Sequence, residues 1–373
     1  MVPYIPLELV HLIASAALAV GDHPVEEERR ARFALAKSLS LVCREWRPVG
    51  QAALFRKVFI FAGQPNYAFL RTRQHHLLSY VRELNVDAHI SSAMLDDKLA
   101  RCRRDCAQLS SVSLVNPGAW SAWFSPTRTV PPAEWVYAVE LRTTFKDEIL
   151  SGVLGEALSG SRHFPNAREV SLTLGSASPH ALLGDLRGTA PWAAVRKLRV
   201  VTALEAVAES GLLEALPHVF PLASLTTLIS SVAQEPFALL PVLRDATALQ
   251  TLILYVPALR LSSFAAQLAP TLAAMTSLKY LTVQQRITAP AHRGGHPILP
   301  PLLLDSLPAS LVILELDLPV ANADRAAVKA FLARRVDAPL AMWSAPILDA
   351  QGVQEREDWN KVSRNGATEW VRE

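Results

Sequence analysis

From Lys57 onward the chain repeats one beat: an apolar residue, two others, an apolar residue, one other, and an apolar residue. Nine segments carry it in order: YVRELNVD, LSSVSLV, VYAVELR, AREVSLTL, VRKLRVV, LTTLISS, LQTLILYV, LKYLTVQ and LVILELDL. Their central apolar residues are Leu84, Val112, Val139, Val170, Leu198, Leu228, Leu252, Leu281 and Leu314, spaced 24 to 33 residues apart. The last three positions alternate as a strand does, while stretches between them, such as EAVAESGLLEALPHV and SSFAAQLAPTLAAM, have helical period. Short strands that return through helices at a persistent spacing predict an α/β solenoid. An ordinary strand-helix-strand sheet spaces its buried strands similarly and is the alternative.

Before Lys57 the period is helical. Residues 5 to 20 place Leu9, Leu12, Ile13 and Ala16 on one stripe, with Pro6 where its missing N–H is tolerated. After the charged break GDHPVEEERR a second helix is expected from about Arg32 to Trp46, with Leu35, Leu39, Val42, Cys43 and Trp46 three or four apart. Pro48 stops it and opens a further helical turn through Leu54. Three short helices bury a tryptophan poorly by themselves, so part of this apolar surface is expected to meet something else. Beyond Leu348 the chain turns polar, and QEREDWNKVSRNGATEWVRE sets Trp359, Val362 and Trp370 among charges, as a terminal cap or a frayed tail. The expected division is a helical segment over 1–62, repeats over 63–350 and a cap or tail over 351–373.

Composition narrows the classes. Half of the 373 residues are apolar, and 37 basic residues against 34 acidic ones leave a formal charge of only +3. That balance argues for no nucleic acid and no acidic membrane as partner. Three cysteines make no disulfide framework, which points to a reducing compartment, cytosol or nucleus. The opening MVPYIPLELVHLIASAALAVGD is a poor secretory signal: no basic residue precedes its apolar run, Glu8 and His11 interrupt it, and Pro3 and Pro6 break its start. The run from Leu12 to Val20 is too short to span a bilayer, which takes about 20 apolar residues.

Candidate chemistry is sparse. No GxGxxG, Gly-Lys pair or GxSxG occurs. Cys102 and Cys106 share a helical face but lack the further ligands of a tetrahedral zinc site, so a helix with one thiol inward and its arginines outward is expected. His75 and His76 are adjacent and point apart, and His292 and His296 bracket a Gly-Gly in a loop, so surface roles are expected for all four. The basic residues around Arg101 fit a solvated helix face. These readings predict no catalytic residue, no metal and no cofactor.

The N-terminal residues resemble the F-box motif. IPLELVHLI followed by SLSLVCREWRPV supplies Ile5 and Pro6, Glu8 and Leu9, Ile13, then Val42, Cys43, Arg44 and Trp46 at the motif's positions. Ile5 stands where the motif has leucine, and the stretch from Ala19 to Phe33 is longer and more charged than a compact F-box, as a looped insertion would be. With irregular leucine-rich repeats behind it, the chain looks like the large F-box-like family common in fungi. The Asn or Cys that leucine-rich repeats carry after the third apolar position is mostly absent here. The resemblance implies a substrate receptor of a Skp-cullin-F-box ubiquitin ligase, with Ile5, Pro6, Leu9, Ile13, Val42, Cys43 and Trp46 docking on a Skp adaptor and, through it, a cullin. A non-catalytic leucine-rich-repeat scaffold whose N-terminal helices merely cap the repeats is the alternative; an enzyme with dispersed catalytic residues is a third.

The repeats also predict a binding face. Residues flanking each central apolar position point away from the core. Early repeats present Glu83, Asn85, Asp87, Ser111, Ser113, Glu140 and Arg142 there, the middle ones Lys197 and Arg199, and the later ones Ile229, Ile253, Tyr255, Tyr280 and Ile313. An apolar run on a wet face marks a docking surface, here for a target protein, unless the C-terminal segment folds over it.

Overall fold

The computed structural model describes residues 34–41, 44, 47–61, 75–90, 92–124, 132–143, 158, 160–175, 192–203, 206–231, 236–286, 301–316, 320–321, 325–348, 354–364 and 367–372. They fall in two compact units, 1–140 with 163–166, and 141–162 with 167–373. Each is α/β and built on a largely parallel sheet.

The first unit begins with a helix over 34–41 and a second over Arg47–Phe55. The helix expected to reach Trp46 is therefore shorter: Arg44 lies in a turn and the chain restarts as helix just before Pro48, where a proline fits the first turn. Gly50 lets the two helices touch, since a Cβ there would lie 2.5 Å from the Ser40 nitrogen and 2.7 Å from the Ala36 oxygen. Strands β1 (Lys57–Phe61), β2 (Glu83–Asp87) and β3 (Ser111–Val115) then pair in parallel, with Val58, Leu84 and Val112 in register. The helix Ala93–Asp105 joins β2 to β3; Ser92 caps it, its Oγ accepting from the Leu95 amide at 3.2 Å. The short helix Pro117–Phe124 follows β3, with strand β4 (Ala138–Arg142) after it, and Trp120 donates its indole N–H to the Leu114 carbonyl at 2.8 Å.

The second unit carries β5 (Glu169–Leu174), β6 (Lys197–Thr202), β7 (Thr227–Ser231), β8 (Thr251–Pro257), β9 (Tyr280–Arg286), β10 (Ile313–Leu316) and β12 (Met342–Leu348), each parallel to the one before it. The two-residue β11 (Val320–Ala321) pairs with the end of β12. Helices Ala206–Val219, Leu239–Asp245, Ala258–Ala274, Pro301–Asp305 and Arg325–Arg334 form the connections. Sequence-ordered parallel strands returning through helices are compatible with a solenoid.

The apolar beat is the core. All nine central residues are 2% exposed or less, and in the second unit Val170, Leu198, Leu228, Leu252, Leu281 and Leu314 sit side by side in one row. The flanking beats are buried as well, Leu225, Leu249, Leu278 and Leu311 on one side, Val200, Leu254, Val283 and Leu316 on the other. Helical Leu216, Leu243, Phe264, Leu268, Leu272 and Phe331 are buried with them. Burying each such side chain contributes about 1.5–3 kcal/mol relative to leaving it in water.

A backbone device recurs at the strand entries and fixes their register. One carbonyl accepts from two successive amides of the next repeat: Arg196 oxygen from Thr226 and Thr227, Thr226 oxygen from Gln250 and Thr251, Gln250 oxygen from Lys279 and Tyr280, Lys279 oxygen from Val312 and Ile313. The first unit does the same, Arg82 oxygen accepting from Ser110 and Ser111. Polar backbone entering the core is thereby satisfied, whatever side chains the turn carries.

The expected cap or tail is a hairpin. β13 (Gln354–Arg364) pairs antiparallel with β12, and β14 (Ala367–Arg372) with β13. Lys361 ties it down: its ammonium donates to the Val336 oxygen at 2.9 Å, also to the Ala338 oxygen, and lies 5.9 Å from the Trp370 ring centroid. Trp359 of β13 stands opposite Trp343 of β12. Among the described residues no helix is long and apolar enough to cross a membrane.

Candidate functional site

Alternation along β6 to β13 turns every second side chain away from the core. Pairing lines these outward residues into rows that run across the strands. One row continues from Ser171 of β5 as Arg199, Ile229, Ile253, Thr282, Glu315, Ser344, Asp358, with Ser344 buried. The adjacent row reads Lys197, Thr227, Thr251, Tyr280, Ile313, Met342, Asn360. Tyr255 lies two residues beyond Ile253, between Ser231 and Gln284 in a third row.

The five candidate target-binding residues thus share one face but not one line. Ile229 and Ile253 are direct neighbours, as are Tyr280 and Ile313, and the second pair is offset by two residues along the strands. Tyr280 is 42% exposed, whereas Ile229, Ile253, Tyr255 and Ile313 are half-buried by their neighbours. Directly opposed residues on neighbouring strands bring their side chains into contact, which is why the aliphatics shield one another. The hairpin that could have folded over this face pairs instead along β12.

Polar groups bound the patch at both ends. Lys197 pairs with Glu169 at 3.1 Å, with both side chains 45% exposed. At the other end the Thr282 hydroxyl reaches Glu315 at 3.5 Å, and the Ser344 hydroxyl donates to Asp358.

The first unit's corresponding face differs. Lys57 pairs with Glu83 at 3.2 Å, and the Ser113 hydroxyl donates to Glu140 at 2.8 Å. Asn116, held at φ 71°, donates its amide to Asp87 at 2.7 Å; asparagine is among the few side chains that tolerate that backbone. Phe59 and Phe61, stacked with centroids 6.1 Å apart, are the apolar exception there.

Elsewhere in the first unit a cavity of about 300 Å3 is lined by Arg103, Arg104, Cys106, Leu109, Glu134 and the exposed Trp135. Its wall corrects the expectation for the Cys102–Cys106 helix. Both thiols point inward, and so does Arg103, which donates to the Trp123 carbonyl at 2.9 Å, meets His163 Nδ1 at 2.5 Å and lies 4.9 Å from the Trp123 ring centroid. A hydrogen bond to Cys102, reinforced by burial and the charge of Asp105, pushes the Cys106 thiol far above its ordinary range. Both thiols are buried and pack as small apolar groups. His163, 60 residues away along the chain, carries no local sequence signal for this contact.

The candidate adaptor-binding residues Ile5, Pro6, Leu9, Ile13, Val42, Cys43 and Trp46 lie outside the described residues, as do His292 and His296. Among the described residues no group of three His, Cys, Asp or Glu side chains is placed to hold a metal ion. Compared with known proteins, the sequence matches no family model and no curated protein.

Proposed function

We propose that this chain is the substrate-recognition subunit of a Skp-cullin-F-box ubiquitin ligase, with an irregular leucine-rich-repeat solenoid holding the target and the N-terminal helices docking on the Skp adaptor. The observation that carries the reading is the face of β7 to β10, where Ile229, Ile253, Tyr255, Tyr280 and Ile313 gather on one side of a sheet whose other side forms the core. Outward apolar side chains add nothing to that core, so their presence fits selection for a partner. The adaptor end rests on the motif residues Ile5, Pro6, Leu9, Ile13, Val42, Cys43 and Trp46. In such a receptor no residue performs chemistry; the contribution is proximity, holding a target lysine near a conjugating enzyme.

A second reading, an interaction scaffold outside ubiquitin ligation, draws on the Arg47–Phe55 helix. It packs by Gly50 against the helix over 34–41 and runs directly into β1, as a helix that merely caps a repeat array does. Capture of a purified Skp adaptor separates the two. The receptor reading expects the intact chain to retain the adaptor and a Pro6→Ala, Trp46→Ala double variant to lose it, with circular dichroism unchanged. An intact chain that retains none leaves the scaffold.

A further inference from the structure

The row Arg199, Ile229, Ile253, Thr282, Glu315, Ser344, Asp358 changes character from one end to the other. From Ser171 of β5 it reaches an arginine, passes over two isoleucines and a threonine to Glu315, and ends on buried Ser344 and half-buried Asp358. Arg199 is exposed, and among the described residues no carboxylate pairs with it; the neighbouring Lys197 already has Glu169. In the adjacent row Tyr280 and Ile313 widen the apolar middle without adding charge. Strands lie about 4.8 Å apart, so the open part of the row, from Arg199 on β6 to Glu315 on β10, crosses five of them and measures about 19 Å. At about 3.3 Å per residue that is the reach of about six residues of extended chain.

We propose that this row receives a single extended protein segment lying across the strands. An acidic side chain of the segment meets Arg199, apolar side chains lie over Ile229, Ile253 and Tyr280, and a basic side chain meets Glu315. The proposal rests on the reading that this face holds the target, and it adds the target's chemistry and direction.

The chemistry of the row selects this occupant. A guanidinium beside an apolar floor favours a carboxylate, which it grips with two parallel hydrogen bonds. Opposite charges at the two ends make one direction of the segment favourable and the reverse repulsive, so charge fixes the register while the apolar middle supplies affinity. A nucleic acid or an anionic membrane presents negative charge throughout and would meet Glu315 with repulsion. A segment with charges of both signs fits the row along its length.

A phage-displayed library of random six-residue peptides, selected on the intact chain and on an Arg199→Glu variant, tests this. On the intact chain, enriched peptides carry Asp or Glu near one end, apolar residues in the middle and Lys or Arg near the other. On Arg199→Glu, the acidic preference is replaced by Lys or Arg, and the best peptide from the intact chain binds at least about tenfold more weakly. An Ile253→Asp variant loses enrichment altogether. Arg199 is exposed, so its replacement leaves the fold intact, which circular dichroism checks. No enrichment on the intact chain, enrichment without charge polarity, or identical sequences on Arg199→Glu overturns the proposal. Skp-adaptor capture by the same preparation reads the receptor assignment separately. Polar peptides without adaptor capture leave this surface standing and remove the ligase role; adaptor capture without polar peptides does the reverse.

Discussion

The first unit's outward face carries matched polar pairs beside one exposed aromatic stack, Phe59 on Phe61, while the second unit's later strands present isoleucines and tyrosines. Lys57 has Glu83, Ser113 has Glu140 and Asn116 has Asp87. Ile229 has Ile253 and Tyr280 has Ile313, while Tyr255 stands between Ser231 and Gln284. Beneath both faces the architecture is the same: Leu84 stands beside Val112 as Leu228 stands beside Leu252, all buried, and the same forked backbone hydrogen bonds set the register. Core residues therefore explain why both units fold and cannot explain why their faces differ. What differs is the outward side chains, which folding leaves free to vary.

The comparison predicts equal cores first. Leu84→Ala and Leu252→Ala each leave a cavity under a parallel strand, and each should cost about 2–5 kcal/mol in chemical denaturation. A loss confined to one of them would mean that the two repeats do not share a packing plan. Glycine separates the units next. Gly118→Ala puts a Cβ 2.4 Å from the Ile90 backbone and should cost at least about 1–3 kcal/mol, whereas Gly211→Ala meets nothing within 4 Å inside its helix and should raise stability by about 0.5–1 kcal/mol.

The faces come after. Ser113→Ala deprives half-buried Glu140 of a hydrogen bond and should cost about 1 kcal/mol. The Tyr255→Ala, Tyr280→Ala double variant removes outward rings and should change stability by much less than the core variants while abolishing capture of the target. If capture survives in a folded double variant, the apolar face is not the docking site.

How far the sequence disclosed this follows from which forces are local. The central beat, Leu84 to Leu314, was legible because a buried strand must repeat apolar residues at fixed offsets, and the face followed from alternation alone. Two strands escaped the same reading. β12 keeps the beat as Leu340, Trp343 and Ala345, all buried, but a tryptophan and an alanine disguise it. β1 keeps it as Val58 and buried Ile60, inside the segment assigned to N-terminal helices, and pairs with β2. The candidate site was legible as a set of residues but not as a geometry. That Ile229 adjoins Ile253 while Tyr280 adjoins Ile313 depends on pairing register, which the double hydrogen bonds at the strand entries fix. Arg103 was misread because its inward turn is bought by the Trp123 carbonyl and by His163, partners that no local pattern announces.

Amide hydrogen exchange on the intact chain, alone and saturated with a purified Skp adaptor, tests the central division of labour most directly. The account predicts that the adaptor slows exchange in peptides from 1–62 only and leaves those spanning 227–315 unchanged. Slowing across 227–315, or none within 1–62, would contradict it.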